Sequence, residues 1–419
     1  MKVSGIIAEY NPFHNGHAYH LAQTRSRLGS DYIIVVMSGN YVQRGAPTII
    51  DKYSRAQMAL QSGADLVLEL PACFSCASAE YFAYGGVSIL DKLGVVDNIC
   101  FGTESLDSHE ETSEELIRIF GDIASLILDE PDEYKAVLKE EQKNGASNAA
   151  ARAAAVEKLL GRRHREILET SNNILAVEYI KAIKRLGSNI KPVPVARLMR
   201  AHNDRLIQDG YSSATAIRNA IYNKYSLTSL ESTLPREAFS ILMDQYLVSF
   251  PIFRDDYSVI FGNALLNAKK TEDLTKYFGV REDLANRMLK YKNEYISFSR
   301  FRELIYAKNI TRATVGRAML HITLGILESD MAGIYDENRL TAVKMLGFRK
   351  EAQPLLSEIK KNTKINLVSK LADYSPQTEN FKADMIVQTT DADMIYRMIC
   401  MNKFGNYIKN PFEKEVIII

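Results

Sequence analysis

Four short apolar runs separated by helical stretches constrain this chain more than any other feature. Residues 3–8 form the first run, which ends at Asn11-Pro12. Residues 32–37 are a continuous β-branched run stopped by Ser38-Gly39-Asn40. Residues 66–70 are closed by Pro71, and residues 95–101 by Gly102. Runs without polar alternation suit strands buried on both faces. Residues 17–28, 52–63 and 79–93 read as the intervening helices, the first closed by Gly29. Strict alternation of strand and helix predicts an α/β fold with a doubly wound parallel sheet.

The pattern then changes. Residues 105–168 are charged and helical, with an alanine-rich run at 149–156, and read as a helical insertion. Residues 191–196 supply a last strand and residues 212–222 a last helix of the same domain. We therefore expect a catalytic domain over residues 1–225. Beyond 226 the strand signal fades. Residues 226–419 read as a mostly helical C-terminal domain, with helices such as 311–327 and 352–361 and a short β-branched tail at 416–419.

Bulk properties narrow the class. Lys and Arg total 52 against 51 for Asp and Glu, so net charge argues neither for nor against a nucleic-acid partner. The N-terminus lacks the apolar segment of a signal peptide, and the apolar runs are too short to span a bilayer. Four cysteines do not make a disulfide framework. A reduced, cytoplasmic protein without a membrane partner is expected. Cys73 and Cys76 lack the second pair that a zinc site needs, so buried thiols are expected there.

In a doubly wound sheet, ligands bind at the carboxyl ends of the strands. The loop after the first strand reads AEYNPFHNGH, residues 8–17, and runs into a helix whose N-terminal amides favour anions. His14 and His17 are placed in its first turn, where residues three apart share a face. Gly16 lets a ligand come close to the backbone. Two imidazole donors there suit the α-phosphate of a nucleoside triphosphate and the charge that develops as pyrophosphate leaves. His14, His17 and His20 could instead hold a metal, but no obvious carboxylate or cysteine partner stands in this stretch, and no metal ligand is expected. A second stretch, YSSATAIRNAI at residues 211–221, offers Ser212 and Ser213 as helix caps. It also sets Thr215 and Arg218 on one face, which suits the β- and γ-phosphates.

His14-Asn15-Gly16-His17 and residues 213–218 resemble the two signatures of the HIGH-type nucleotidyltransferases, a Rossmann-like superfamily. GIIAEYNPFHNGHAYHL, VMSGNYVQRGAPTIIDKYSRAQMAL, GADLVLELP, FGTES and SNNILAVEYIKAI together resemble one of its families, the bacterial tRNA(Met) cytidine acetate ligases. The resemblance implies an ATP-dependent ligase that activates acetate as acetyl-adenylate, releasing pyrophosphate. It implies transfer of acetyl to N4 of the wobble cytidine of elongator tRNA(Met). ATP, with Mg2+, acetate and that tRNA are the implied co-substrates and partners. His14, His17, Thr215 and Arg218 are the implied catalytic residues. ATP contacts are implied for Ile7, Ala8, Glu9, Tyr10, Asn11, Pro12 and Phe13, then His14, Asn15, Gly16 and His17, then Ala18, Tyr19 and His20. Gly102, Asn172 (the first of Asn172-Asn173), Arg197, Leu198 and Ser213 complete the implied set.

Other residues carry weaker signals. Arg44 or Lys52 could hold acetate or a phosphate, with Gln43 and Arg55 in the same stretch, or all could be solvated. Glu104 could bind ribose or a metal. His202 follows Arg197 and Arg200, whereas His109, His164 and His321 have no readable partner. Two basic regions could meet tRNA. One is GRRHRE at residues 161–166. The other interleaves Arg300, Arg302, Lys308, Arg312 and Arg317 with Phe298, Phe301 and Tyr306, followed by Arg349, Lys350, Lys360, Lys361 and Lys364. The alternatives are a small-molecule adenylyltransferase and a non-catalytic RNA-binding protein. Chain length argues against the first, and the intact motif residues against the second.

Overall fold

A computed structural model describes residues 1–107, 112–197, 210–307, 310–336, 338–376 and 384–419. Leu198, Arg200, His202, His109 and Lys308 lie outside the described residues.

The alternating runs form the expected parallel strands β1 (Val3–Ala8), β2 (Tyr32–Ser38), β5 (Leu66–Leu70), β6 (Asn98–Thr103) and β7 (Lys191–Ala196); between β2 and β5 the short β3 (Tyr41–Val42) and β4 (Ala46–Pro47) pair antiparallel with each other as a separate two-stranded sheet. Strands β5, β2, β1, β6 and β7 lie side by side in that order, all parallel. The apolar runs have no alternation because both faces are covered. Ile34, Val36, Leu66 and Leu68 enter one core with Phe82 and Ile180. Ile33, Val35, Met37 and Val67 enter the other with Leu21, Leu60 and Ile217.

The strand signal does not end at residue 226. β8 (Ala342–Phe348) pairs antiparallel with β5, and β9 (Asn366–Val368) and β10 (Ile417–Ile418) each pair parallel with β8. Among the described residues the sheet is thus eight-stranded and mixed. The tail at 416–419 is sheet edge. β8 is hard to read because Lys344 breaks its apolar run. The lysine is nonetheless buried, and its Nζ donates to the Tyr53 hydroxyl at 2.7 Å. Helices Arg312–Leu324 and Gln353–Asn362 form where the sequence predicts them. Between β6 and β7 the chain makes helices Ser113–Asp129, Asp132–Lys143, Asn148–Leu160, Arg162–Ile167 and Ser171–Leu186.

The strand order reverses between β1 and β6. Their pairing stops at Gly5–Ile99, although β1 stays paired with β2 to Ala8 and β6 with β7 to Thr103. The carboxyl ends of the two strands therefore part and leave a crevice, the topological switch point of the sheet.

Two buried cations on helix Lys52–Gln61 hold the surrounding loops. Arg55 donates to the carbonyls of Ile50 at 3.1 Å, Glu9 at 2.8 Å, Ser38 at 3.0 Å and, closer still, Gly39. Lys52 Nζ meets Glu69 at 2.6 Å and also Asp393, which lies on helix Met385–Phe404. Lys52 and Arg55 are thus structural, not ligand-holding. Burial opposes the Lys52 charge, but Asp393 and Glu69 more than offset it and raise its pKa. Removing one member of a buried ion cluster leaves an uncompensated charge. Lys52→Ala is expected to cost about 3–5 kcal/mol, read as a lowered denaturant midpoint.

Candidate active site

The crevice holds a cavity of about 540 Å3. Its floor is the end of β1 and the loop that follows: Ile7, Ala8, Glu9, Tyr10 and Asn11, then His14, Gly16, His17, Tyr19 and His20. Gly102, Asn172, Arg197, Ser213 and Arg218 close the sides. Pro12, Phe13, Asn15 and Ala18 do not line it. Phe13 is fully buried in the core. Asn15 braces the loop, donating to the carbonyls of Gly210 at 2.7 Å and Ser232 at 2.9 Å.

His14 is the N-cap of helix Asn15–Leu28 rather than a residue of its first turn. Its extended backbone lets the ring fold back, and its Nδ1 accepts from the Gly16 amide at 3.0 Å. A Cβ on residue 16 would sit 2.9 Å from that ring, which is why glycine stands there. His17 reciprocates, its Nδ1 accepting from the His14 amide at 3.2 Å. The rings stack with centroids 3.7 Å apart. Both Nδ1 atoms are acceptors, so in the neutral rings both Nε2 atoms carry the proton. The HNGH stretch is a capping box built from imidazoles, and it presents two N–H donors to the cavity.

Burial keeps these rings neutral. It depresses the pKa of His14 to about 3, aided by the charges of Arg197 and Arg218. It holds His17 well below the usual imidazole range, aided by His14, Arg197 and His20. His20 is brought to about 4 by burial and by Arg197. His20 Nε2 and the Tyr10 hydroxyl are buried without a hydrogen-bond partner among the described residues. Both residues line the cavity, so a polar ligand can satisfy them.

Arg218 joins the two motifs. Its Nη1 donates to the Asn11 carbonyl at 2.6 Å and its Nη2 to Thr215 Oγ1 at 3.1 Å. Ser213 caps the helix Ala214–Tyr222 by accepting from the Ala216 amide at 3.1 Å. Thr215 lines a neighbouring cavity rather than this one.

At the opposite end, Glu104 accepts from Thr170 at 3.0 Å, from Arg197 at 3.3 Å and from Asn172. Asn173 turns away to Thr103 at 2.7 Å and Ser105 at 2.9 Å, which leaves Asn172 as the member of the pair that lines the cavity. Beside Gly102 the place of a side chain is taken by the Arg197 stem, 3.1 Å from where a Cβ would be. Thr170, Phe82, Phe101 and Tyr179 also line the cavity. Phe101 and Tyr179 fall within FGTES and SNNILAVEYIKAI, whereas no motif marks Phe82 or Thr170, because the four converge from separate elements. Glu9, a residue of the loop after β1, lines this cavity and its neighbour. Its carboxyl is buried, which raises its pKa against the opposing effects of the Gln43 amide, 3.0 Å away, and of Arg44, Arg218 and Arg55.

The HIGH nucleotidyl transferase family model matches residues 1–410. The chain is 35% identical to the tRNA(Met) cytidine acetate ligase of Acetivibrio thermocellus, with 100% of both chains covered. It is 37% identical to that of Clostridium kluyveri, with 98% of both covered. It belongs to the tRNA(Met) cytidine acetate ligase family. The apo crystal structure of Thermotoga maritima TmcAL has a TM-score of 0.90 at 32% identity, covering 100% of both chains. The form bound with alpha-thio ATP has a TM-score of 0.87 at 31% identity, again covering 100% of both.

The basic regions of this ligase-family chain are largely engaged within the structure. Arg162 and Arg163 pair with Glu166, Arg165 with Glu157, and Arg302 and Arg312 with Glu303. Phe298 and Phe301 are core residues, whereas Tyr306 is exposed. Arg317 donates to the Gln43 carbonyl at 3.3 Å. Cys73, Cys76, Cys100 and Cys400 are buried and free.

Long-range 1H–15N spectra are expected to show the Nε2–H tautomer for His14 and His17. No titration is expected between pH 8 and 5, and a midpoint near 6.5 would overturn the assignment. Unfolded imidazoles protonate near 6.5 and the native rings far lower. The stabilising contribution of His14 is therefore complete above pH 6.5 and is lost as pH falls from there toward about 3, and that of His17 is lost in the same direction.

Proposed function

We propose that this chain is an ATP-dependent tRNA cytidine acetate ligase whose adenylate chemistry runs in the switch-point cavity. The observation that carries this reading is the stacked, neutral imidazole pair at the crevice of a chain that aligns end to end with tRNA(Met) cytidine acetate ligases. Adenosine lies along Gly102, Asn172 and Arg197, with Glu104 placed to accept from a ribose hydroxyl. The α-phosphate lies on the Nε2–H groups of His14 and His17. Ser213 and Arg218 take the β- and γ-phosphates, with Thr215 holding the Arg218 guanidinium in place through its Oγ1 at 3.1 Å.

An acetate oxygen attacks the α-phosphorus, and the bond to the β-phosphate oxygen breaks. Pyrophosphate leaves with that electron pair, and acetyl-adenylate remains. The imidazole donors and Arg218 stabilise the charge that builds on the phosphates. Because the rings are already neutral and capped, they need no reorganisation as the charge develops. The N4 amine of the wobble cytidine then attacks the acetyl carbon. The carbon–oxygen bond to AMP breaks, AMP leaves as the anion, and the amine gives up one proton. Mg2+ is supplied with ATP. The described residues gather no group of three metal-binding side chains, so the ion would be held chiefly by phosphate oxygens and water.

We assign residues 1–225 to this chemistry and 226–419 chiefly to tRNA. The setting is cytoplasmic, in keeping with the tRNA substrate. Among the described residues no helix is long and apolar enough to cross a membrane.

Pyrophosphate release tests the reading, with acetate compared against formate, propionate and no acid, each with and without bulk tRNA. Acetate-dependent release, with label from acetate arriving on a tRNA cytidine, is expected. His17→Ala should lower it about a hundred-fold or more, as loss of one preorganised donor does. Release that ignores acetate and tRNA but needs a phosphorylated small molecule would replace the ligase with a small-molecule adenylyltransferase.

A further inference from the structure

A second cavity of about 240 Å3 adjoins the first and shares four lining residues with it: Glu9, Asn11, Arg44 and Arg218. Its far end is built from Tyr222, Phe253 and Arg254, none of which belongs to either phosphate motif.

Arg254 is the unusual group there. Its Nε is buried without a hydrogen-bond partner among the described residues, and its Nη2 donates to the Arg44 carbonyl at 3.4 Å, a weak contact. Burial pushes its pKa down to about 9, and the like charges of Arg302, Arg218 and Arg44 push the same way against Asp255. Asp255 Oδ1 accepts from the Ser299 amide at 2.7 Å, and Glu9 Oε1 from the Gln43 amide at 3.0 Å. Three arginines, Arg44, Arg218 and Arg254, thus line one cavity whose lining carboxylates, Glu9 and Asp255, already accept from backbone amides. Such a cluster is stabilised by a bound anion.

Guanidinium groups match phosphate oxygens bidentately, and the exposed rim of the cavity bears on which phosphate would fit. The Tyr222 side chain is 61% exposed, with its ring edge-on to Phe253 at 5.3 Å between centroids. A polyphosphate has no use for an exposed aromatic ring. Single-stranded RNA uses both elements, guanidinium on phosphate and ring on base. The shared wall joins this cavity to the place where acetyl-adenylate forms.

We propose that the second cavity receives the acceptor strand of the RNA, with Arg254 holding a phosphodiester and Tyr222 stacking on an unpaired base. This rests on the ligase reading and deepens it by assigning the path of the acceptor nucleotide.

The test uses the full chain with Arg254→Gln, Tyr222→Ala and Tyr222→Phe, each checked for an unchanged melting temperature. Two assays run in parallel: acetate-dependent ATP–pyrophosphate exchange, and binding of a fluorescent anticodon stem-loop by anisotropy across a salt series. Arg254→Gln should weaken RNA binding about tenfold and reduce the salt slope by about 1, with exchange unchanged. Tyr222→Ala should weaken binding about tenfold without moving the slope, and Tyr222→Phe should restore it. If Arg254→Gln instead raises the KM for ATP or pyrophosphate, the cavity belongs to the triphosphate and the proposal is overturned. Unaltered RNA affinity in both Arg254→Gln and Tyr222→Ala overturns it as well. Absence of acetate-dependent exchange in the unaltered enzyme would count against the ligase reading alone, because the binding assay does not depend on it.

Discussion

Two buried cations one turn apart, Lys52 and Arg55, are the constraint on which the site depends. A charge taken out of water must be matched by well-placed partners. Arg55 meets this by drawing in the carbonyls of four residues from the ends of β1 and β2 and the loop beyond. Lys52 meets it with one carboxylate from β5 and one from a helix more than three hundred residues away in sequence. The loops that shape the crevice are therefore set by the same helix turn that ties the last long helix to the sheet.

The crevice uses burial in a second way. Where β1 and β6 part, the imidazoles of the HNGH stretch are desolvated enough to stay neutral, and the capping box fixes which nitrogen bears the proton. A neutral donor in a dry site interacts strongly with a phosphate without a charge having to be desolvated first. The nearby cations Arg197 and Arg218 reinforce the neutrality, and Arg218 also ties the second motif to the backbone of the first. The two motifs act as one site because a single guanidinium spans them.

The C-terminal half is interlocked with this arrangement. Gly45, at φ +63°, lies backbone to backbone against Gly316 of helix Arg312–Leu324, and a Cβ on either would collide with the other strand of chain. That contact fixes the loop bearing Gln43 and Arg44. β8 extends the sheet itself. The second cavity is thus braced by the same elements that hold the first.

What the sequence determined by itself was local and periodic. Short unbroken apolar runs alternating with helical stretches suit strands covered on both faces, and a strand–turn–helix with His14, Gly16 and His17 places its candidate site within four residues. Asn172 was legible over Asn173 only through resemblance, and the structure separates them by which one faces the cavity. Everything that depends on distant partners emerged only on folding. Lys344 hid β8 because a buried lysine is tolerable only beside a polar partner, here the Tyr53 hydroxyl, and no local pattern reveals that partner. Lys52 reads as a possible ligand contact in the sequence, whereas in the structure Glu69 and Asp393 hold its charge. Arg254 carried no signal at all: one arginine among many, it becomes distinctive only when folding places three other guanidinium groups near it and leaves its Nε without a partner.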